Sequence, residues 1–228
     1  MTVKDLVRPI PGVCQLSRLH QQHGFSSSVS FWKTHYAGGG TSGGRSHGSL
    51  ARGKADFLNT FVAEHNIVSV TEFGCSDGHQ LTQARYPRYV GHDVSTTAIE
   101  LCKRTFPDGG SKSFFLYHGI CFFDSAGLFD CDLALSLDVV FHLIEDGIFT
   151  VCTRHLFGAS RRHVVIYSTD AASGRTAVHV RHRTFTCGSA SKLPQWRLTS
   201  VKRGPMSDSG GPDFFVYERV GEGVDHPA

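Results

Sequence analysis

The fold of this chain is decided by the stretch Thr71-Glu72-Phe73-Gly74-Cys75-Ser76-Asp77-Gly78. Residues 67–73 form a short run that is rich in β-branched side chains, which is typical of a buried strand. Gly74 and Gly78 then permit a tight turn and a close approach of the backbone to a ligand. Because ligands bind beyond the carboxyl ends of the strands in an open α/β sheet, this turn is the first candidate binding site.

Strands and helices alternate around this turn. Further strands are predicted at residues 88–93, 113–117, 132–138, 164–167, 196–201 and 214–217. Helices are predicted over residues 51–62, after Ser95 as a cap, and over residues 145–157. This alternation, which ends in two adjacent strands, predicts an α/β fold with one doubly wound, mainly parallel seven-stranded sheet and an antiparallel edge hairpin.

The 228 residues fit one domain. We expect it to span residues 51–220, between an N-terminal arm with a Gly-rich segment at residues 1–50 and a tail at residues 221–228. Residues 38–44 contain five glycines in seven positions, GGGTSGG, and resist regular structure. They are interpreted either as a flexible linker or as the hinge of a lid that carries Trp32 and Tyr36.

Composition disfavours several classes of function. The formal net charge is only +3, and Lys and Arg form no block, so no nucleic-acid partner is expected. No apolar run approaches the ~18 residues of a membrane span, and the first residues carry no apolar leader. Seven scattered cysteines without a CxxC pair indicate free thiols in a reducing cytoplasm and no metal site.

Acidic side chains surround the glycine turn. Glu72 and Asp77 would repel the pyrophosphate of a dinucleotide, and the turn lacks the GxGxxG spacing of a nicotinamide site. Asp93, at the end of the next strand, can accept hydrogen bonds from two ribose hydroxyls. Together, these acids describe a site for an adenosyl sulfonium with an amino-acid tail.

These motifs resemble those of class I S-adenosylmethionine-dependent methyltransferases, in particular a small bacterial group. Residues 71–78 are similar to motif I, (D/E)xGxGxG, with Ser76 in place of the middle glycine. Residues 91–95 (GHDVS) resemble the acidic second motif, and residues 135–143 (LSLDVVFHL) resemble the fourth motif. In the bacterial group, a Gly/Ser-rich segment and a KAxxLN-like helix precede motif I; here these are residues 38–48 and 54–59.

The resemblance covers residues 32–220 and implies S-adenosyl-L-methionine as the cofactor. The residues that would contact it are Trp32, Tyr36, Arg45, Glu72, Gly74, Cys75, Asp77, Gly78, Asp93, Val94, Asp124 and Asp138. Among these, Glu72 and Asp77 would hold the ammonium side, Asp138 would lie near the sulfonium and the amino group, and Arg45 would lie near the carboxylate. Val94 would lie against the adenine, and Asp124 is the candidate for the adenine edge.

Methyl transfer chiefly requires that the acceptor be positioned for in-line attack. His142, which follows Asp138 closely, is the first candidate for a general base, because the unperturbed pKa of histidine is about 6.5. The alternative is that His142 caps a helix or lines the pocket without titrating. His179, Arg181 and His182 form a second polar cluster, which could bind an anionic acceptor.

The expected function is therefore methyl transfer to an oxygen or nitrogen of a small-molecule acceptor, such as a sugar or a natural product. One alternative uses the same sulfonium for aminocarboxypropyl transfer or cyclisation. Another is a non-catalytic cofactor-binding protein, because a fold alone does not prove activity. The sequence identifies neither the acceptor nor the oligomeric state.

Overall fold

The computed structural model describes residues 25–108, 110–172, 175–186 and 193–220. The first part of the expected N-terminal arm, residues 1–24, and the tail, residues 221–228, lie outside the described residues, as do Cys14 and Cys187. The helices within these ranges are α1 (Ser28–Ala37), α2 (Gly48–Glu64), α3 (Thr96–Thr105) and α4 (Asp146–Gly158). The strands are β1 (Ser69–Phe73), β2 (Arg88–Asp93), β3 (Lys112–Leu116), β4 (Cys131–Leu137), β5 (Ser160–Ser168), β6 (Arg175–Ala177), β7 (Val180–Arg181), β8 (Trp196–Lys202) and β9 (Asp213–Arg219).

The main sheet has seven strands in the order β3-β2-β1-β4-β5-β9-β8. Strands β1 to β5 pair in parallel, whereas β9 runs antiparallel to both β5 and β8. The predicted doubly wound sheet with an antiparallel edge hairpin is confirmed. A separate antiparallel pair, β6 and β7, follows β5 and was not predicted, because strands of two or three residues leave no periodic signal.

The order of the strands reverses beside β1. The chain runs outward from β1 to β3 and then returns, so that β4 pairs with the other side of β1. Such a reversal opens a crevice at the carboxyl ends of the strands. The turn after β1, Asp93 at the end of β2 and Asp138 after β4 all lie at this edge of the sheet.

Helices cover both faces of the sheet, which explains why all five residues of β1 are buried. On one face, Leu58 of α2 and Ile99 of α3 join the apolar layer. On the other face, Leu156 and Phe157 of α4 do so. Among the described residues, no helix is both long enough and apolar enough to cross a membrane.

Helix α1 was not predicted, because residues 28–37 carry no apolar stripe. Its amino terminus is capped by Ser27, whose side chain accepts a hydrogen bond from Ser30 N. The Gly-rich residues that follow are folded against the turn after β1: Ser42 N donates to Asp77 Oδ2 at 2.8 Å, and Gly44–Ser46 form a 3-10 turn. Residues 25–46 therefore form an ordered cover beside the crevice.

Candidate active site

The turn after β1 is shaped by Gly74. Its φ is +91°, and a Cβ at this position would lie 2.3 Å from Val139 Cγ2, so that only glycine fits. Gly74 N and Cys75 N both donate to His92 O, at 2.7 and 3.0 Å, which ties the turn to the end of β2. Ser76 occupies the position of the motif's middle glycine with a φ of +56°. The backbone therefore bends tightly around the end of β1.

Asp93 is held by two backbone donors. Its Oδ2 accepts from Ser76 N at 3.0 Å, and its Oδ1 accepts from Ser95 N at 2.9 Å. Ser95 also caps α3 as predicted, because its Oγ accepts from Ala98 N. Burial raises the pKa of Asp93 to about 6, against the opposing effect of the backbone donors. A carboxylate has about four lone-pair sites, so Asp93 can still accept from a ligand hydroxyl.

A cavity of about 950 Å³ opens at this edge of the sheet. That volume is at the upper end of the ~300–1,000 Å³ typical of ligand pockets, so it leaves room for a small second ligand beside a nucleoside. The predicted residues that line it are Trp32, Tyr36, Arg45, Gly74, Asp93, Val94, Asp138 and His142. Burial and the neighbouring Asp93 raise the pKa of Tyr36 above its usual value, so its hydroxyl keeps its proton.

Glu72 does not line the cavity, although we expected it near the ammonium group. Its Oε2 accepts a hydrogen bond from Tyr89 Oη at 2.6 Å, inside the core beneath the turn. Burial raises its pKa to about 7, with Tyr89 and Lys54 opposing the rise. Glu72 therefore supports the turn from below.

Two more acids of the prediction bind the protein backbone instead of facing the cavity. Asp77 accepts from Ser42 N and from His79 N, and so joins the Gly-rich segment to the turn. Asp124, the candidate for the adenine edge, accepts from Leu128 N and Phe129 N, both at 2.8 Å, and closes its own loop.

Cys75 and Gly78 also lie behind the cavity wall. Cys75 is buried, and a Cβ at Gly91 would come within 2.9 Å of the Cys75 side chain. A Cβ at Gly78 would lie 3.1 Å from Cys102 Sγ, so the turn packs closely on α3. Of the motif I residues predicted to contact the cofactor, Gly74 is the one that lines the cavity; Phe73 and Ser76 of the same motif line it as well but were not predicted to do so.

Asp138 lies between two cations. Its Oδ2 is 2.7 Å from Lys54 Nζ, and its Oδ1 is 3.5 Å from Arg45 Nη1. Lys54 is only 1% exposed. It was not predicted as a site residue, although a signal existed: Lys54 falls between Ala51 and Leu58 on the apolar face of α2, and a buried charge requires a partner.

His142 is held in one tautomer. Its Nδ1 lies 2.7 Å from His179 O, and a carbonyl oxygen can only accept, so Nδ1 carries the proton and Nε2 keeps a lone pair. Burial lowers the pKa of His142 to about 4. The imidazole is therefore neutral at neutral pH. Its ring meets the edge of Trp32, with centroids 4.8 Å apart.

The predicted cluster of His179, Arg181 and His182 is divided by the structure. The two histidines line the cavity, but Arg181 does not. Arg181 Nη1 donates to Ile144 O at 2.8 Å and pairs with Asp146 at 3.0 Å. Arg181 is the only permanent cation of this cluster, and its guanidinium already binds the Ile144 carbonyl and the Asp146 carboxylate at the start of α4. The interpretation of the cluster as an anion site was therefore wrong for Arg181.

No group of three or more His, Cys, Asp or Glu side chains within the described ranges is arranged to hold a metal ion. The polar side chains of the cavity wall include those of Asp93, Asp138, His142, Glu145 and His182. Such a wall suits organic ligands with separate polar groups.

No family model matches the sequence, and no curated protein matches it. Among solved structures, it is similar to the N-methyltransferase NodS from Bradyrhizobium japonicum WM9 in complex with S-adenosyl-L-homocysteine, with a TM-score of 0.66 and 13% identity over 86% of this chain and 100% of NodS. The chain has the class I methyltransferase fold.

Two further solved proteins share this methyltransferase fold. Magnesium protoporphyrin IX methyltransferase from Synechocystis PCC 6803, with bound S-adenosyl-L-homocysteine, matches with a TM-score of 0.59 and 11% identity over 90% of this chain and all of that one. An O-methyltransferase family protein from Burkholderia thailandensis matches with a TM-score of 0.55 and 14% identity over 76% of this chain and 58% of that one. N- and O-methyltransferases both occur on this methyltransferase fold, so the fold leaves the acceptor atom open.

Proposed function

We propose that this chain is an S-adenosyl-L-methionine-dependent methyltransferase that transfers a methyl group to an oxygen or nitrogen of a small-molecule acceptor. The observation that carries the proposal is Asp93, a carboxylate fixed by Ser76 N and Ser95 N at the wall of the cavity, beside the Gly74 turn. Solved proteins of this fold hold S-adenosyl-L-homocysteine, which supports the same cofactor here.

The cavity wall offers a partner for each part of the cofactor. Asp93 accepts from the ribose hydroxyls, and Val94 lies beside it for the adenine. Asp138 Oδ1, which accepts no hydrogen bond from the described residues, receives the ammonium group, and Arg45 receives the carboxylate. Gly74 lines the cavity with bare backbone, which allows the methionine portion to approach it closely.

The charge of the cavity also suits a sulfonium. Three carboxylates line it, those of Asp93, Asp138 and Glu145, against the guanidinium of Arg45 on the described wall and the ammonium of Lys54 behind Asp138, which leaves an excess of one negative charge. A wall with excess negative charge attracts a cationic ligand and repels an anionic one. The same excess disfavours a dinucleotide with its pyrophosphate.

When bound, S-adenosyl-L-methionine supplies a methyl carbon that its sulfonium makes electrophilic. The chain's own residues then have to place the acceptor in line and to exclude water. Trp32 and Tyr36 cover the cavity from α1. His142 Nε2 presents a lone pair that can take the acceptor proton as the new bond forms.

Calorimetric titration with S-adenosyl-L-methionine and S-adenosyl-L-homocysteine tests the proposal. Asp93→Ala should weaken binding at least tenfold, since hydrogen bonds to a charged group contribute about 1.5–3 kcal/mol and about 1.4 kcal/mol is tenfold. Asp124→Ala is the matched control and should bind normally, because the Asp124 carboxylate accepts hydrogen bonds from Leu128 N and Phe129 N of its own loop and does not line the cavity. Absence of binding by the folded wild-type protein would contradict the proposal.

The product identifies the chemistry once turnover is observed. Methyl transfer leaves S-adenosyl-L-homocysteine, whereas aminocarboxypropyl transfer and cyclisation leave methylthioadenosine. We expect S-adenosyl-L-homocysteine in a chromatographic assay, and methylthioadenosine would contradict methyl transfer while leaving the cofactor assignment intact.

A further inference from the structure

Exposed apolar side chains are concentrated at one edge of the main sheet. Of the eight large apolar side chains that are exposed among the described residues, five lie on β3 and on residues 117–130, which connect β3 to β4. One of the five, Ile120, lines the cavity. The other four are Phe115, Leu116, Phe123 and Leu128, which are 43%, 56%, 87% and 74% exposed. We call these four residues the edge patch.

The edge patch is exposed because the connection from β3 to β4 contains no helix. Parallel strands are usually joined through an α-helix, which covers the sheet. Here the connection covers part of the sheet with Phe129, whose ring meets that of Phe115 at 5.1 Å. Asp124 accepts from Leu128 N at 2.8 Å, which draws the preceding residue, Phe123, toward Leu128. Because successive side chains of a strand point to opposite faces, the edge patch wraps around β3, with Leu116 on the other face.

The backbone of β3 is open along the same edge. Tyr117 N, just after β3, donates to Asp93 O of β2 at 2.7 Å, so the odd-numbered residues here turn their backbone groups toward β2. The backbone groups of successive residues in a strand point alternately to its two sides. Lys112, Phe114 and Leu116 therefore turn their N–H and C=O groups outward, and no described residue is hydrogen-bonded to these six groups.

The opposite edge of the sheet is protected in ways that β3 lacks. Strand β8 carries the exposed Arg197 and Lys202, and its pairing with β9 shifts register between Leu198 and Ser200. Charged side chains and bulges are devices that prevent an edge strand from pairing with another chain. Strand β3 pairs with β2 without a shift and has Lys112 as its only charged residue. Its edge therefore remains competent to pair with a further strand.

A second copy of β3 fits this edge. In an antiparallel pair centred on Phe114, the outward groups of Phe114 pair with those of its own copy, and the groups of Lys112 pair with those of the partner's Leu116. Phe115 then faces the partner's Ser113, a small residue that leaves room for the ring. The two lysines lie four residues apart along the pair, about 13 Å at ~3.3 Å per residue, which exceeds the Debye length of ~8 Å. The pairing therefore brings no like charges together.

The area of the edge patch is sufficient for a specific interface. An aromatic side chain presents about 150–250 Å², so Phe115 and Phe123 expose roughly 200–300 Å² at the fractions given above. With Leu116 and Leu128, one copy exposes apolar surface on the order of 500 Å², a size that marks an interaction site. Two copies would bury about 1,000 Å², which reaches the lower limit of a biological interface before the backbone is included.

We infer that this chain forms a two-fold dimer in which β3 pairs antiparallel with β3 of a second copy. The two seven-stranded sheets join into one, and the protected β8 edges stop the assembly at two copies. The inference is independent of the proposed function, since no residue of the edge patch lines the cavity.

Two substitutions at one position test the pairing and its register. Leu116→Lys and Leu116→Glu remove the same apolar side chain and place opposite charges across from the partner's Lys112. Like charges directly opposite destabilise a strand pair and unlike charges stabilise it, so Leu116→Glu should dimerise at least about fivefold more tightly than Leu116→Lys. Sedimentation velocity of the full chain measures this. Val201→Lys, at a 49% exposed position of β8, is the control and should dimerise as the wild type does.

Amide hydrogen exchange shows which edge is covered, and circular dichroism checks that each variant is folded. The amides of Lys112, Phe114 and Leu116 should exchange more slowly as the protein concentration rises. A monomeric wild type overturns the inference: slow exchange of these amides in the monomer would mean that another segment of the same chain occupies the edge, and fast exchange would leave the edge to a different protein. A dimer that the two Leu116 variants weaken equally, or that Val201→Lys weakens, also overturns it.

Discussion

Lys54 Nζ lies 2.7 Å from Asp138 Oδ2, although the lysine is 1% exposed and its helix otherwise presents an apolar face here. The other oxygen of Asp138 faces Arg45 at 3.5 Å, and the Arg45 side chain is 40% exposed. Lys54 is thus the fixed partner and Arg45 the exchangeable one. Under the proposed function, a cofactor ammonium would take the place of Arg45 at Asp138 while Lys54 holds the carboxylate in position.

Replacing Lys54 with methionine should lower the free energy of unfolding by about 3 kcal/mol. The reason is that Asp138 would be left without its close cation. Breaking a buried ion pair costs about 3–5 kcal/mol, and we expect the lower end of this range because Asp138 keeps some contact with solvent. Urea unfolding measures the change. Asp138→Asn in the Lys54→Met background is the control and should restore stability, since no carboxylate remains unpaired. A double variant as unstable as Lys54→Met alone would show that the lysine acts through something other than Asp138.

Cofactor binding should weaken as the pH falls through about 6. Ribose hydroxyls donate to the ionised form of Asp93, whose pKa burial raises to about 6, so affinity is full above that pH and falls by up to about tenfold per unit below it. Titrations with S-adenosyl-L-homocysteine between pH 5 and 8 measure this. Asp93→Asn should bind weakly but with a flat profile. Glu72→Gln is the control, because Glu72 also has a pKa raised to about 7. If the pH dependence of binding seen in the wild type disappears in this variant, Glu72 and not Asp93 is responsible for it.

The same raised pKa has the opposite effect on the stability of the unliganded protein. The unfolded chain loses the Asp93 proton near pH 3.9, whereas the folded chain keeps it to about pH 6. Folding therefore takes up a proton in this window, and the contribution of Asp93 to stability falls as pH rises from about 4 to 6. Asp93→Asn should remove this component from the pH dependence of urea unfolding.

The hydrogen bonds that attach α1 to the start of α4 predict how α1 opens when they are removed. Ser28 Oγ donates to Glu145 and also accepts from Ile144 N at 2.9 Å, and these partners lie about half the length of the chain away in sequence. Ser28→Ala leaves these groups unpaired, which costs about 1–3 kcal/mol, and the cost should appear as local opening of α1. Because α1 carries Trp32, cofactor affinity should fall and limited proteolysis of residues 25–46 should accelerate. Ser30→Ala on the same helix is the control, and equal proteolysis of both variants would contradict the role of Ser28.

The main sheet was predictable because its strands are continuous apolar runs covered on both faces. Helix α1 was not, because its residues cover a cavity and therefore show no apolar stripe. Motif position correctly indicated which edge of the sheet carries the cavity, since Gly74, Asp93 and Asp138 all follow strands that end there. The motif could not show that the side chain of Glu72 points into the core toward Tyr89, because Tyr89 lies on the neighbouring strand β2 and the pairing of the two strands brings them together.

Pairs of residues far apart in the sequence account for most of the remaining differences between the predicted and the observed site. Ser28 with Glu145, Lys54 with Asp138, and Arg181 with Asp146 join segments far apart in the sequence, and no local pattern announces them. Lys54 is the instructive case, because a charged residue on an apolar helical face is itself a signal that a buried partner exists. The partner becomes known only when the strand order places β4 against β1.

His142 should titrate near pH 4 and should be protonated on Nδ1 when neutral. The bond from Nδ1 to His179 O fixes that tautomer, and burial lowers the pKa from its usual value. Two-dimensional NMR of protein labelled with 15N-histidine measures both properties without an acceptor, and His142→Gln identifies the resonances by their loss. His142→Gln should also leave S-adenosyl-L-homocysteine affinity within about twofold while methyl transfer falls about 10²–10⁴-fold, the usual contribution of a general base.

A lowered histidine pKa also fixes the sign of its effect on stability. His142 of the unfolded chain is protonated below about pH 6.5, whereas His142 of the folded chain is protonated only below about pH 4. The contribution of His142 to the free energy of unfolding is therefore fully present above pH 6.5 and is lost as the pH falls toward 4. His142→Gln should therefore flatten the acid side of the stability profile. A His142 resonance that titrates near 6.5 would remove this effect on stability, whereas protonation of neutral His142 on Nε2 would remove the lone pair that is proposed to take the acceptor proton.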